Sequence, residues 1–141
     1  MIGIDAVDIE RLRALLERRP DAEERLFTDA ERSYCHAHAD PALRFAGTLA
    51  AKEAVIKAAS LGPLVSWCRR IEIDRGPSGA PAVKVVGITD PDMSVSISHD
   101  MGLAVAIAVV KEEIARAIPA ARFGLRPNQR LVRYLASGLQ P

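Results

Sequence analysis

The chain has few cysteines, almost no net charge and no long hydrophobic run, and each absence excludes a class of protein. Cys35 and Cys68 are its two cysteines, too few for a disulfide framework, so we expect both to be reduced. The formal net charge of +1 gives no general reason to bind nucleic acid or an anionic membrane. No apolar run reaches the length of a membrane span. We therefore expect neither a nucleic-acid nor a membrane partner, and a charged partner must be met by a local patch.

What is present is typical of a soluble globular protein. Of the 141 residues, 49% are apolar and 26% are charged, which suits one domain with a real hydrophobic core. The segment "IGIDAVDIE" (2–10) carries acidic side chains at once and does not resemble a secretory signal. We therefore expect a cytoplasmic protein.

The first half of the chain predicts one strand followed by helices. Residues 2–7 alternate apolar and polar side chains, with Ile2 and Ile4 on one side and Asp5 on the other. "TDAE" (28–31) is a Thr-x-x-Glu capping box, which marks the start of a helix. "LGP" (61–63) is expected to end the last helix, because Gly stops it and Pro prevents its continuation. Helices are predicted over about 9–18, 28–39 and 41–61.

The second half reads as strands and turns. "RRIEID", "PAVKVV", "SVSIS" and "LAVAIAVV" are typical of strands, and the segments between them are rich in Gly, Pro and Asp. A strand-rich half after a helix-rich half predicts an α+β fold. Beyond these strands we expect a domain that ends near residue 114 and a basic, helical C-terminal extension over 115–141.

The helix around residues 47–60 carries three charges, Lys52, Glu53 and Lys57, on an otherwise apolar surface. Glu53 and Lys57 are four residues apart and therefore share one face. They form either an ordinary surface pair or part of a narrow polar strip that lines a cleft. The apolar surroundings favour the cleft for all three charges, because a buried charge needs a partner or a ligand.

A glutamate beside a lysine in a cleft suits phosphoryl-type transfer. Glu53 can hold a hard cation such as Mg²⁺, and Lys57 can neutralise phosphate oxygens. Asp5, which breaks the apolar pattern of the first strand, is the candidate for a second carboxylate. The alternative for Asp5 is an aspartate that caps a helix or stabilises a turn.

The segment "SVSISHD" (94–100) ends in three reactive side chains, Ser98, His99 and Asp100. Neighbouring strand residues face opposite sides of a sheet, so these three cannot form a contiguous Ser–His–Asp relay. A His and an Asp beside a tight hairpin are better placed to bind a phosphate and a metal. The alternative is a turn aspartate beside a solvated histidine.

Several motifs occur in order along residues 2–110. They are "GIDAVDIERL" (3–12), "RLFTDAE" (25–31), "FAGTLAAKEAVIKA" (45–58), "GAP" (79–81) and "SVSISHDMGLAVAIAVV" (94–110). Together they resemble the motifs of the holo-acyl-carrier-protein synthase family of phosphopantetheinyl transferases. The resemblance implies an antiparallel sheet packed with a long central helix, and transfer of phosphopantetheine from coenzyme A to a carrier-protein serine.

The resemblance also implies roles for individual residues. Asp5 and Glu53 would ligate Mg²⁺, with Asp100 as a further metal contact, and Lys57 would contact the pyrophosphate of coenzyme A. His99 would lie by the nucleotide. Further coenzyme A contacts are implied at Arg44, Ser98, Gly79 and Pro81.

The expected mechanism is attack of the carrier serine on the β-phosphorus, with release of adenosine 3′,5′-bisphosphate. Asp5, Glu53 and Lys57 are the catalytic residues, and either Glu53 or a metal-bound water accepts the serine proton. The resemblance further implies a trimer with coenzyme A bound between subunits. It also implies that a basic first helix binds the acidic carrier protein. Arg11, Arg13 and Arg18 fit that docking role.

Thr48 departs from the family pattern, which usually has an arginine at this place. One contact to coenzyme A phosphate is therefore missing or comes from elsewhere, with Arg44 as a candidate. This departure leaves a rival hypothesis open, a coenzyme A-binding or assembly module that has lost transfer. Nucleic-acid binding through the arginine-bearing tail is a third. The sequence does not indicate whether a fatty-acid, polyketide or other carrier is served.

Overall fold

The computed structural model describes residues 1–88 and 91–110. Its strands are β1 (Ile2–Asp8), β2 (Ile71–Arg75), β3 (Pro81–Val85), β4 (Met93–Asp100) and β5 (Leu103–Val110). Its helices are α1 (Ile9–Arg18), α2 (Asp21–Leu26), α3 (Asp29–His36), α4 (Pro41–Ala59) and α5 (Leu64–Trp67). The α+β prediction is confirmed, whereas the short helices α2 and α5 were not predicted. The extension predicted over 115–141 lies outside the described residues.

The helix starts follow the capping signals in the sequence. The Asp8 side chain accepts a hydrogen bond from the Arg11 N–H at 2.8 Å and caps α1. At α3 the capping box is confirmed, because Thr28 and Glu31 each accept from the other's backbone N–H. Both caps hold polar backbone groups that would otherwise lack partners.

The long helix α4 ends earlier than predicted. Its last residue is Ala59, and Ser60 caps it in the left-handed conformation at φ 53°. We had expected Gly62 to end the helix, but Gly62, at φ 97°, lies in the loop that follows. A serine therefore takes the left-handed position that glycine usually occupies.

The strands form two antiparallel sheets. One has the order β1-β5-β4, and the other is the β2–β3 hairpin. Across the first sheet Asp5 pairs with Ala106, which pairs with Ile97. Helix α4 lies so close to β1 that a Cβ on Gly3 would stand 2.0 Å from the Ala54 carbonyl oxygen. The site therefore lies where the central helix crosses this sheet.

The two faces of the three-stranded sheet differ in the size of their side chains, and the larger ones are exposed. The face against α4 carries small residues, including the buried Ala104, Ala106 and Ala108 of β5. The opposite, solvent-exposed face carries large aliphatic side chains, which we call the outer sheet face: Ile2, Ile4, Leu103, Val105, Ile107 and Val109. The predicted alternation in β1 is confirmed, but its isoleucines lie outside the core.

Lys52 does not line a cleft, so this part of the prediction was wrong. Its side chain is fully buried, and its Nζ lies 2.5 Å from the Glu31 carboxylate. The same Nζ donates to the carbonyl oxygens of Leu26, at 2.9 Å, and Cys68. Glu31 in turn accepts from the Ile73 N–H at 2.8 Å. This ion pair satisfies a buried charge with protein partners and joins α4, α3 and β2.

In the part of the chain that the structure describes, no helix has both the length and the apolar character needed to cross a membrane.

Candidate active site

Asp5 and Lys57 meet between β1 and α4. The Lys57 Nζ donates to Asp5 Oδ1 and to the Ile4 carbonyl oxygen, the latter at 3.1 Å. The Asp5 side chain is 13% exposed and that of Lys57 is 52% exposed. The carboxylate therefore lies at the buried end of the site, and the ammonium group lies at its solvent-exposed end.

Glu53 completes the group one turn before Lys57. Burial raises the pKa of its half-buried carboxyl, and the charge of Asp5 raises it further, whereas Lys57 acts in the opposite direction. Glu53 shares a face of α4 with Lys57, and Lys57 contacts Asp5, so the two carboxylates lie on the same side of the helix. The predicted trio of Asp5, Glu53 and Lys57 is thus brought together by the fold.

The donor chemistry of Asp5 and Glu53 fits Mg²⁺. This ion prefers oxygen ligands and is usually held by one or two carboxylates together with substrate phosphates. Among the described residues, no group of three or more Asp, Glu, His or Cys side chains is arranged to hold a metal. Two carboxylates without a complete protein cage suit a metal that binds together with a phosphate substrate.

Asp100 is not brought to this pair. It is exposed, on the face of β4 that points away from α4, and its carboxylate accepts from the Met101 N–H at 2.9 Å. Ser98 lies on that outer face too, because residues two apart in a strand share a side. Neither residue reaches the Asp5–Glu53 pair of its own chain.

His99 lies on the inner face, under α4. A Cβ on Gly47 would stand 2.7 Å from its Nε2, so only glycine allows α4 to approach the imidazole this closely. That Nε2 is buried and has no hydrogen-bond partner in the described residues. Burial lowers the pKa of His99 and the neighbouring Arg44 lowers it further, although the backbone of Leu43 opposes this. Arg44 therefore lies within electrostatic reach of His99.

Gly79 and Pro81 lie on the β2–β3 hairpin. Gly79 has φ 78° and its N–H donates to the Gly76 carbonyl oxygen at 2.8 Å, which makes the turn. Pro81 begins β3 and pairs with Arg75. The hairpin belongs to the smaller sheet, whereas Asp5 and His99 lie on the three-stranded one.

The three docking arginines differ in their surroundings. Arg11 and Arg18 are exposed on α1. Arg13 instead donates to both carboxylate oxygens of Asp40 at 3.1 Å, and also bonds Glu10. Since Asp40 caps α4, Arg13 ties α1 to the start of the central helix.

Sequence reasoning missed Gly47 and Arg75. The close approach of Gly47 to His99 depends on how α4 crosses β4, which no local pattern reveals. No sequence pattern marks Arg75, which is the last residue of β2. The fold turns it inward at the β2–β3 hairpin, where it stands over the Tyr34 ring with its Cζ 5.4 Å from the ring centre.

Comparison with known proteins gives one consistent result. The model of the 4′-phosphopantetheinyl transferase superfamily matches residues 1–110. The holo-acyl-carrier-protein synthase of Leptospira biflexa is 39% identical over 122 residues, which cover 79% of this chain and 96% of the relative. That of Chlorobaculum parvum is 40% identical over 114 residues, covering 78% and 97%.

A solved structure is also similar. The crystal structure of Helicobacter pylori holo-acyl-carrier-protein synthase in complex with coenzyme A superposes with a TM-score of 0.67 at 32% sequence identity. The match covers 79% of this chain and 100% of that one.

Proposed function

This chain belongs to the 4′-phosphopantetheinyl transferase superfamily and to its holo-acyl-carrier-protein synthase class, and on that premise we propose its reaction. It transfers the 4′-phosphopantetheine group of coenzyme A to a serine of an apo acyl carrier protein and uses Mg²⁺. The observation that carries this proposal is the meeting of Asp5, Glu53 and Lys57 between β1 and α4.

The carrier serine hydroxyl attacks the β-phosphorus of coenzyme A. A new oxygen–phosphorus bond forms, the bond from that phosphorus to the bridging oxygen breaks, and adenosine 3′,5′-bisphosphate leaves. Lys57 contacts the pyrophosphate oxygens and stabilises the negative charge that develops on them. The serine proton goes to Glu53 or to a water at the site.

Asp5 and Glu53 hold the Mg²⁺ in this proposal. When bound, the ion neutralises charge on the phosphate oxygens. With Asp5 holding the ion, the Lys57 ammonium group would be available to the phosphate oxygens of the substrate. His99 and Arg44 face the nucleotide end of coenzyme A.

The carrier protein docks on the exposed arginines of α1. Arg11 and Arg18 are exposed and form no ion pair with the described residues, although the Arg18 Nε donates to the Ala14 carbonyl oxygen at 3.1 Å, whereas the charge of Arg13 is matched by Asp40. Charges on the rim of an interface mainly increase the rate at which the two partners meet in the right orientation. Arg11 and Arg18 thus carry the docking role, and Arg13 supports the helix that bears them.

A homotrimer completes the proposal, and the outer sheet face supports it. Ile2 is 65% exposed and Ile4 58%, and both lie beside the exposed aliphatic row of β5. A contiguous apolar surface of this kind marks an interaction site. In this proposal the active sites lie between subunits, and contact through this face brings Ser98 and Asp100, which share it, to a neighbouring copy.

The decisive experiment is a transfer assay read by mass. The full chain is incubated with coenzyme A, Mg²⁺ and an apo acyl carrier protein, and the carrier is then weighed. Gain of one phosphopantetheine group per carrier is the expected result. A chain that binds coenzyme A but leaves the carrier mass unchanged is a binding module, and the proposed reaction is then wrong.

A further inference from the structure

Lys52 is a buried lysine that the proposed mechanism does not use. Its side chain is fully buried, and its ammonium group has three acceptors: the carbonyl oxygens of Leu26 and Cys68, and a carboxylate oxygen of Glu31 at 2.5 Å. An ammonium group has three N–H donors, so the protein satisfies every donor of Lys52. A side chain with three fixed acceptors restricts the movement of the helix that carries it.

The acceptors are themselves fixed by other elements. Glu31 accepts from the Thr28 N–H and from the Ile73 N–H, both at 2.8 Å. It is therefore bound to the start of α3 and to β2 as well as to Lys52. The two carbonyl oxygens belong to the last residue of α2 and to the residue after α5. The pair thus connects the middle of α4 to α2, α3, α5 and β2.

The side of α4 that faces the three-stranded sheet consists of small residues. A Cβ on Gly3 would stand 2.0 Å from the Ala54 carbonyl oxygen, and Gly47 packs closely against β4. Lys52 precedes Ala54 by two residues, which is about 200° around the helix, so it points away from this sheet. Small side chains allow close approach but form shallow ridges, which resist sliding along the helix axis less than large interlocking side chains do.

The position of α4 along its axis affects the geometry of the active site. Glu53 is the residue after Lys52, and in the proposed function it shares one Mg²⁺ with Asp5 of β1. An α-helix rises about 1.5 Å per residue, and Mg²⁺ requires oxygen ligands at about 2.0–2.1 Å in near-octahedral geometry. A slip of α4 by a fraction of one residue therefore changes the metal site. Lys57 does not prevent such a slip while it contacts the substrate instead of Asp5.

We propose that the buried Lys52–Glu31 pair is a positioning device, which holds α4 where Glu53 can contribute to a Mg²⁺ site. The inference rests on the proposed function, which places the ion at Asp5 and Glu53. Lys52 and Glu31 act through the position of Glu53, as residues that support metal ligands do. Their removal should weaken metal binding in a protein that stays folded.

The test uses a double variant of the full chain in which no charge stays buried. Lys52→Met with Glu31→Gln removes the ion pair and keeps side chains of similar length, so the domain should stay folded. Calorimetry with Mg²⁺, alone and with coenzyme A bound, should show an affinity about tenfold weaker than in the wild-type chain. In the transfer assay, the Mg²⁺ concentration for half-maximal rate should rise similarly, with the Michaelis constant for the carrier within about twofold, because α1 is unchanged.

Val85→Ala is the matched control for a loss of stability. It removes buried methyl groups from β3, in the core that α4 shares, and does not touch the contacts of Lys52. It should lower the melting temperature and leave the Mg²⁺ affinity within about twofold. If Val85→Ala weakens Mg²⁺ binding as much as the double variant does, the effect follows stability and the inference is wrong.

The remaining outcomes separate this inference from the proposed function. A double variant that binds Mg²⁺ and transfers like the wild-type chain overturns the inference and leaves the proposed function in place. If the double variant does not fold, Glu31→Gln alone decides: its Mg²⁺ affinity should fall several-fold, and an unchanged affinity overturns the inference. A wild-type chain that binds no Mg²⁺ and transfers nothing overturns the proposed function, and this inference with it.

Discussion

Lys57 on α4 and Asp5 on β1 form an ion pair across the sheet–helix boundary. The Lys57 Nζ donates to Asp5 Oδ1 and also to the neighbouring Ile4 carbonyl oxygen. A lysine ammonium group and a divalent cation at the same carboxylate repel each other, because both are positively charged. In the proposed reaction the ion pair therefore sets a competition: metal binding at Asp5 frees Lys57 for the phosphate oxygens.

Removing Lys57 should separate metal binding from transfer. In Lys57→Met, Asp5 and Glu53 face each other without a neighbouring cation, so the free protein should bind Mg²⁺ several-fold more tightly. Transfer should fall by about a hundredfold, because the phosphate charge loses its partner. Calorimetry with Mg²⁺ alone and the carrier-mass assay measure the two effects, and Lys84→Met is the control. Weaker Mg²⁺ binding would contradict the competition.

Neutralising either carboxylate should abolish transfer and keep the fold. Asp5→Asn and Glu53→Gln preserve shape but remove the charge that Mg²⁺ requires, so the rate at limiting Mg²⁺ should fall by about a hundredfold or more. Thermal unfolding should change by only a few degrees, because both side chains face the site. A near-wild-type rate for either variant shows that the residue is not a metal ligand.

Charge reversal on α1 should affect the carrier and not coenzyme A. Arg11→Glu with Arg18→Glu should raise the Michaelis constant for the carrier about tenfold and leave that for coenzyme A within about twofold. The effect should shrink as salt is added, because exposed charges are screened. Steady-state kinetics at two salt concentrations measure it, and equal effects on both substrates refute docking through this face.

Arg13 lies on the same helix, but its replacement should affect stability. Arg13→Glu breaks the contact with both oxygens of Asp40 and places two like charges at the cap of α4. Its main effect should be a lower melting temperature.

The outer sheet face should control assembly. Ile107 lies in the middle of it, paired with Ile4 on β1 and Ser96 on β4, and Ile107→Lys places a charge there without entering the core. We expect a folded monomer with little transfer activity, seen by sedimentation and the carrier-mass assay. Val65→Lys, at a valine that is 82% exposed on α5, is the control. A fully assembled Ile107→Lys protein rules out this interface.

Breaking the buried Lys52–Glu31 pair should destabilise the whole domain. Lys52→Met leaves the Glu31 carboxylate buried without its partner, which should lower the free energy of unfolding by about 3–5 kcal/mol. Adding Glu31→Gln should recover part of the loss, because no charge then stays buried. Urea denaturation measures both variants. A loss under about 1 kcal/mol would show that Lys52 is not structurally required.

The site could be predicted where local patterns determine it. The four-residue spacing of Glu53 and Lys57 places them on one face of any α-helix, and the alternation of β1 sets Asp5 apart from its isoleucines. The prediction that Lys52 lines a cleft was wrong because it rested on the charge of the side chain and not on its position in the helix. It follows Leu49 by three residues and precedes Ile56 by four, so it belongs to the buried stripe, and its partner Glu31 is distant in the chain.

The sequence by itself determined the element types, most caps and the α+β class, because these depend on contacts between residues a few positions apart. It did not determine which face of each strand is buried. An alternating strand has one apolar side, which normally faces the core, yet in β1 the buried side carries Gly3 and Asp5. Only the tertiary structure decided this, because the alanine-rich α4 packs within 2.0 Å of where a Gly3 Cβ would lie. The same close approach leaves Ile2 and Ile4 exposed, and long-range packing likewise brings Gly47 against His99.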